Sequence, residues 1–165
     1  MRIATPRLLL RDTRAEDIPA LIALWTDAEV TRYMGGPRRP AHLREAFEQT
    51  LAQGPDRYDL YPVIEVASGT VVGHCGLLDK EIEGALEIEL VYVLARPCWG
   101  RGYATEIARA IAQDAFTRQG LRRLVALIEP GNVASERVAA KVGMELEREV
   151  LRPGGHLMRL YALNA

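Results

Sequence analysis

Three strand-like segments follow one another between residues 58 and 94, and this run restricts the possible folds more than any other feature of the chain. Tyr58–Ala67 and Thr70–Leu78 are rich in β-branched and aromatic residues, and a Ser-Gly turn signal separates them. A polar turn predicted over Asp79–Gly84 leads to the third strand, Ala85–Leu94. Because consecutive strands joined by short turns pair as antiparallel hairpins, we expect a largely antiparallel sheet.

Helical patterns lie on both sides of these strands. The capping-box pair Thr13 and Glu16 precedes apolar residues at spacing i, i+3, i+4 and i+7, and a second amphipathic segment stops at Gly54. A long helix, a strand over Arg122–Ile128, a short helix ending at Val142 and a final hairpin follow. The order β-α-α-β-β-β-α-β-α-β-β contains one β-α-β crossover. We therefore predict an α/β fold (α+β by a stricter label) with a mixed, mostly antiparallel sheet, helices on both faces, and a single domain over residues 1–165.

Composition excludes several classes of function. The net charge of −1 gives no electrostatic reason to expect nucleic acid as a partner. Cys75 and Cys98 are far apart and form no CxxC or Cys/His cluster, so we expect neither a disulfide framework nor a metal site. The N-terminus has no signal-peptide pattern and no apolar run approaches membrane-spanning length. We predict a cytoplasmic protein without a membrane partner.

The segment Arg96–Glu106, which reads RPCWGRGYATE, joins a strand to a helix through a Gly-x-Gly turn. Helix N-termini present unpaired N–H groups and partial positive charge, so they bind phosphates. Arg96 and Arg101 can add charge-assisted contacts to a pyrophosphate. The segment lacks the Gly-Lys-Ser/Thr of a Walker loop and the third glycine of a dinucleotide fingerprint. A plain helix-entry turn is the structural alternative.

Three spaced motifs give the chain a resemblance to the GNAT superfamily of acetyltransferases, within it to the RimJ/RimL-like branch of ribosomal-protein N-acetyltransferases. The first is Trp99–Glu106 (WGRGYATE), and the second is Asn132–Val138 (NVASERV) leading to KVGM at Lys141–Met144. The third is the opening strand Thr5–Arg11 (TPRLLLR). The likeness covers nearly the whole chain, and it implies acetyl-CoA as co-substrate with no metal.

The resemblance also implies roles for individual residues. The backbone at Tyr92, Val93 and Leu94 is expected to pair with the pantetheine arm, as in β-strand addition. Asn132 is expected to bind the pantetheine, although a helix N-cap needs the same residue type. Ser135 is expected near the thioester sulfur. The pyrophosphate site implied by the turn consists of Arg96, Trp99, Gly100, Arg101, Gly102, Tyr103, Ala104 and Thr105.

The catalytic candidates are Glu89, His74 and Ser135. Glu89 interrupts an apolar strand, where a charge is costly unless it is useful or paired, and we predict it as the general base. Glu87, on the same face, is expected to raise its pKa. If the Asp79–Gly84 turn joins the two strands, His74 falls opposite Glu89 and could act with it. A surface position for Glu89 and a structural role for His74 are the alternatives.

We predict an acyltransferase that moves an acetyl group from acetyl-CoA to a primary amine, with the branch favouring the α-amino group of a protein or peptide. Amino acids, polyamines and aminoglycosides remain alternative acceptors, and a non-catalytic acyl-CoA-binding module is the alternative without enzymatic activity. Many GNAT enzymes have a tyrosine that acts as general acid for the leaving thiol, and this chain has Ala139 at the corresponding position. The sequence therefore does not identify the general acid. A homodimer through the terminal strands is compatible with the sequence.

Overall fold

The computed structural model describes all residues from Met1 to Ala165 and contains eight strands and four α-helices. The first half of the chain contains β1 (Ile3–Ala4), β2 (Leu8–Leu10), α1 (Ile18–Thr26), α2 (Pro40–Gln53), β3 (Leu60–Glu65) and β4 (Val71–Ile82). The second half contains β5 (Ala85–Leu94), α3 (Tyr103–Thr117), β6 (Arg123–Ile128), α4 (Val133–Val142), β7 (Glu145–Arg152) and β8 (His156–Asn164).

All eight strands form one sheet in the order β1-β2-β3-β4-β5-β6-β8-β7. Every neighbouring pair is antiparallel except β5 and β6, which α3 connects as a β-α-β crossover. The predicted mixed, mostly antiparallel sheet and the predicted order of elements are therefore confirmed. The structure adds β1, a strand of two residues that is too short to have a recognisable sequence period.

Helices cover both faces of the sheet because side chains alternate along each strand. On one face, the stripe Ile107, Ala108 and Ile111 of α3 packs in a cluster of 23 buried residues that also includes Ala139 of α4. On the other face, α1 and α2 pack with Val93 in a smaller cluster. Strand β5 contributes side chains to both clusters, so it lies in the middle of the fold.

The hairpin between β4 and β5 is tighter than the sequence predicted. β4 continues through Ile82, and the turn consists of Glu83 and Gly84, with φ of 50° and 83°. Two consecutive residues with positive φ match the type I′ turns that join two-residue hairpins. The predicted turn over Asp79–Gly84 was wrong because its polar residues are extended and paired, with Lys80 opposite Glu87.

The start of α1 also differs from the prediction. Thr13 does not cap the helix; instead the carboxylate of Asp17 accepts a hydrogen bond from the backbone N–H of Arg14 at 2.8 Å. Arg11 holds the same carboxylate with two further bonds of 2.7 and 3.0 Å. A short 3₁₀ turn, Ala15–Asp17, then leads into the helix. None of the helices is both long and apolar enough to cross a membrane.

Candidate active site

The strands β5 and β6 separate over most of their length. Their parallel pairing is limited to Glu89 opposite Val125, and beyond that point Leu90–Leu94 has no partner strand on the β6 side. The other edge of β5 stays paired with β4 along the whole strand. The sheet therefore contains a wedge-shaped gap, closed at Glu89 and open towards the turn that follows Leu94.

The backbone of β5 alternates between β4 and this gap. Ala95 N–H donates to Val72 on the β4 side, and the carbonyl of Val93 also faces β4, where Cys75 Sγ lies 3.8 Å away. Because this direction alternates along the strand, the backbone N–H and C=O groups of Tyr92 and Leu94 point into the gap. The Val93 backbone does not point there, which corrects its predicted place among the pantetheine-binding groups. Trp99 Nε1 already donates to the Leu94 carbonyl at 2.7 Å.

The Gly-rich turn forms the open end of the gap. Gly100 and Gly102 have φ of 74° and 79°, and Gly102 is the residue that precedes α3. No side chain caps this helix, so the first N–H groups of the helix, at Tyr103, Ala104 and Thr105, lack an intrahelical partner. The turn thus has the free donors and the positive helix end that a phosphate requires.

Basic side chains surround this helix end. Arg101 is bound to Glu65 at 2.9 Å and lies over the Tyr103 ring, 4.5 Å from its centroid. Arg7, from before β2, donates to the Arg101 carbonyl at 2.9 Å. The turn residue Arg96 lies in the 3₁₀ segment that follows β5.

A groove of about 610 Å³ lies beside the start of α3. Arg7, Arg109 and Lys141 are among its lining residues, and Arg109 Nε donates to the Lys141 carbonyl at 3.0 Å. Neither arginine was predicted as a candidate. Arg7 comes from a segment 94 residues away from the turn, and only the fold brings it there. Arg109 lies further along α3, outside the Gly-x-Gly motif that drew attention to the turn.

Glu89 lies at the closed end of the gap and is 9% exposed. Burial raises the pKa of its carboxyl, and the nearby Lys80 ammonium, with Nζ 3.5 Å from Oε2, opposes that rise. Glu87 does not contribute as predicted, because its carboxylate is bound to Arg123 at 3.2 Å. Glu89 is thus a buried acid with one close cation, not half of a carboxylate pair.

Tyr92 and Ser135 are hydrogen-bonded on the opposite face of β5. The Tyr92 hydroxyl donates to the Ser135 carbonyl at 3.0 Å, and Ser135 Oγ donates to the Tyr92 oxygen at 3.1 Å. Asn132 caps α4, since its Oδ1 accepts from the Ser135 N–H at 3.3 Å. Asn132 therefore acts as a helix N-cap through its side-chain oxygen, and its side-chain NH₂ group remains free to bind a ligand.

Comparison with known proteins identifies this arrangement. Residues 7–145 match the family described as an acetyltransferase (GNAT) domain. The chain belongs to the GNAT acetyltransferase family. Its activity class is therefore N-acetyltransferase with acetyl-CoA as the donor, as predicted, and the RimL ribosomal-protein acetyltransferase shares the fold.

The similarity to individual relatives covers most of this chain and most of each relative. The uncharacterized protein YkkB of Bacillus subtilis (strain 168) is 33% identical, over 90% of this chain and 88% of its own length. The L-methionine sulfoximine/L-methionine sulfone acetyltransferase of Pseudomonas aeruginosa is 29% identical, over 88% and 84%. The crystal structure of a GNAT-family acetyltransferase from Bacillus anthracis superposes with a TM-score of 0.84 at 26% identity, covering 99% and 98%.

His74 lies apart from the acidic end of the gap in this GNAT fold. It pairs with Val93, whereas Leu78 is the residue opposite Glu89, so the predicted register was wrong by four residues. The imidazole is 5% exposed, and its Nδ1 accepts a hydrogen bond from Trp25 Nε1 at 3.0 Å. Burial lowers its pKa to about 4. The environment is that of a neutral core residue under α1 and α2.

Proposed function

We propose that this enzyme acetylates an α-amino group, on a peptide or a free amino acid, with Glu89 as the general base. The observation that carries the proposal is the position of Glu89 at the closed end of the gap between β5 and β6. A thioester entering the gap along β5 ends beside this carboxylate. An amine that approaches from the α1 and α2 side then lies between the carboxylate and the thioester carbon.

The donor half of the proposal rests on the turn and the free edge of β5. The N–H groups at the start of α3 and the Arg101 guanidinium bind the pyrophosphate of acetyl-CoA. The polar backbone groups of Tyr92 and the Leu94 N–H pair with the pantetheine amides by strand addition. The Asn132 amide NH₂ donates to the same arm. A donor held at both ends reacts at a defined point in the gap.

The state of Glu89 suits a base for an amine. An amine attacks a thioester only as the neutral form, and an α-amino group has an ordinary pKa of about 7.7–8.0 against about 10.4 for lysine. A base is most effective when its own pKa approaches the working pH, and burial raises the pKa of Glu89 in that direction. Because its pKa is lower, an α-amino group loses its proton to this base more easily than a lysine side chain does.

The charges around Glu89 favour an acceptor with one amine over a polycation. Lys80 and Arg152 are the cationic groups whose charges act on this carboxylate. They repel the additional ammonium groups of a polyamine or an aminoglycoside and attract an acceptor carboxylate. The relative from Pseudomonas aeruginosa acts on methionine sulfone, whose only primary amine is an α-amino group. This likeness supports the same acceptor class here.

The test is thiol release from acetyl-CoA with amino acids, methionine sulfone, short peptides, spermidine and an aminoglycoside. We expect release with the α-amino acceptors, and a fall in kcat of about 10²–10⁴-fold for Glu89→Gln, because a positioned base contributes that factor. Acetyl-CoA binding by calorimetry should be unchanged in this variant.

Glu87→Gln is the matched control, since it changes the same chemical group two residues away, where the carboxylate is bound to Arg123. Its kcat should stay near the wild-type value. Equal turnover in Glu89→Gln and wild type would remove Glu89 as the base. Tight acetyl-CoA binding with no release for any amine would instead favour a non-catalytic acyl-CoA-binding module.

A further inference from the structure

The tyrosine that many GNAT enzymes use to assist the departing thiol is absent, because the corresponding position is Ala139, which is fully buried. Another phenol lies close to this part of the fold. Tyr92 packs against the same core cluster that contains Ala139, and its hydroxyl reaches the first turn of α4 at Ser135. The phenol therefore extends from β5, within the length of the gap, to the helix that follows β6.

The two faces of β5 have different chemistry at this point. Side chains alternate along the strand, so Glu89 and Tyr92, three residues apart, project to opposite faces. Glu89 lies on the face covered by α1 and α2, and Tyr92 on the face covered by α3 and α4. A thioester held in the plane of the gap has the carboxylate on one side and the phenol on the other.

We propose that the Tyr92 hydroxyl donates a hydrogen bond to the sulfur of acetyl-CoA as the carbon–sulfur bond breaks. This inference rests on the proposed function. The amine nitrogen forms a bond to the acetyl carbon and gives its proton to Glu89. The sulfur leaves with the electron pair of the broken bond, is stabilised by the phenol, and takes a proton from solvent to become free CoA thiol. Glu89 returns its proton to solvent.

The hydrogen bonds of Tyr92 suit this role. Ser135 Oγ donates to the phenol oxygen, which orients the hydroxyl and strengthens it as a donor. In the structure the phenol proton is directed at the Ser135 carbonyl, a neutral acceptor that an anionic sulfur can replace. Burial raises the pKa of Tyr92 to about 12, so the hydroxyl keeps its proton throughout the neutral range. Ser135 is then a positioning residue for Tyr92.

The test uses the thiol pKa of CoA bound to the intact enzyme, measured from the ultraviolet absorbance of the thiolate during a pH titration. A donor aimed at the sulfur stabilises the thiolate, so Tyr92→Phe should raise the pKa of the bound thiol above its wild-type value. With an α-amino acceptor, the same variant should lower kcat by about 10²-fold, the effect of removing one preorganised donor, while the KM for acetyl-CoA stays nearly constant.

Tyr61→Phe is the matched control, because Tyr61 is also a buried tyrosine of the same cluster but lies on β3. It should change neither the thiol pKa nor kcat. Ser135→Ala, which keeps the phenol and removes its supporting donor, should raise the thiol pKa by less than Tyr92→Phe. This variant also decides the question if Tyr92→Phe folds poorly.

The titration needs no acceptor, so its outcome is independent of the acceptor assignment. Equal thiol pKa values in wild type, Tyr92→Phe and Ser135→Ala would overturn the inference. If kcat still depended on Glu89 in that case, the proposed function would stand. A shifted thiol pKa together with no transfer to any amine would leave the phenol at the sulfur and refute the acetylation proposal alone.

Discussion

His74 should make the fold sensitive to mild acid, and the substitution His74→Asn should remove that sensitivity. The imidazole is enclosed by the rings of Trp25 and Phe47, with ring centroids 6.1 and 5.7 Å away, and it accepts the Trp25 indole N–H. Asparagine retains an acceptor oxygen near the position of Nδ1 but does not titrate. The variant therefore separates the packing of this side chain from its charge.

The magnitude follows from the two pKa values of His74. Burial lowers the folded-state pKa to about 4 from an ordinary value of 6.5, so the unfolded chain binds the proton more tightly. The stability that neutral His74 provides is complete above the unfolded pKa and is lost as the pH falls from 6.5 towards 4. At about 1.4 kcal/mol per pKa unit, the full loss is about 3 kcal/mol, and about 2 kcal/mol is lost by pH 5.

The assay is urea unfolding followed by far-ultraviolet circular dichroism at about pH 7.5 and about pH 5, for wild type and His74→Asn. The carboxylates titrate in both proteins, so their contribution cancels in the difference. We expect the free energy of unfolding of wild type to fall by about 2 kcal/mol more than that of the variant. An equal fall in both proteins would mean that His74 is already charged or solvated in the folded state, and would refute the reasoning.

Three further predictions concern the gap, the turn and the core. Lys80→Met should move the acid limb of the kcat/KM–pH profile to higher pH, because removing the ammonium raises the pKa of Glu89; an unmoved limb would exclude Glu89 as the titrating base. Gly102→Val should weaken acetyl-CoA binding by up to about tenfold in calorimetry, because a left-handed backbone costs a non-glycine residue about 1–2 kcal/mol, so the free variant relaxes this turn and must restore it to bind; unaltered affinity would make the turn purely structural. Leu124→Ala, at a fully buried position, should cost about 3 kcal/mol in urea unfolding, whereas Leu146→Ala on the exposed edge should cost less than about 0.5 kcal/mol.

Most of the fold could be predicted because helices and strands depend on residues that are close together in the sequence. The apolar stripe of α3 is strongly periodic, and the segments of β3 and β5 are rich in β-branched and aromatic residues; the structure has each of these elements. The end of β4 was missed because Asp79 and Lys80 look like turn residues. They are extended because the Glu83-Gly84 turn extends the pairing to Ile82. The geometry of a two-residue turn therefore sets the register of all ten residue pairs between β4 and β5.

Candidate site residues could be proposed from the sequence where the signal is local. The Gly-x-Gly turn and the Asn132 to Ser135 segment were proposed because each is a local motif, and Glu89 because it interrupts an apolar strand. Arg7 at the turn was missed, since its contact to the Arg101 carbonyl spans 94 residues. The hydrogen bond between Tyr92 and Ser135 spans 43 residues and depends on how α4 follows β6. Such long-range contacts depend on the topology of the fold, and the periodic patterns of one sequence do not reveal that topology.

The gap couples the geometry of β5 to the chemistry proposed for it. A strand has a period of two, so the odd residue Glu89 and the even residue Tyr92 face opposite sides of the sheet. The same period turns the polar backbone groups of Tyr92 towards the gap, while those of Val93 pair with β4. Inserting or deleting one residue between positions 89 and 92 would turn the phenol to the face of the carboxylate. It would also exchange which amides reach the donor, so acetyl-CoA binding and thiol departure should fail together.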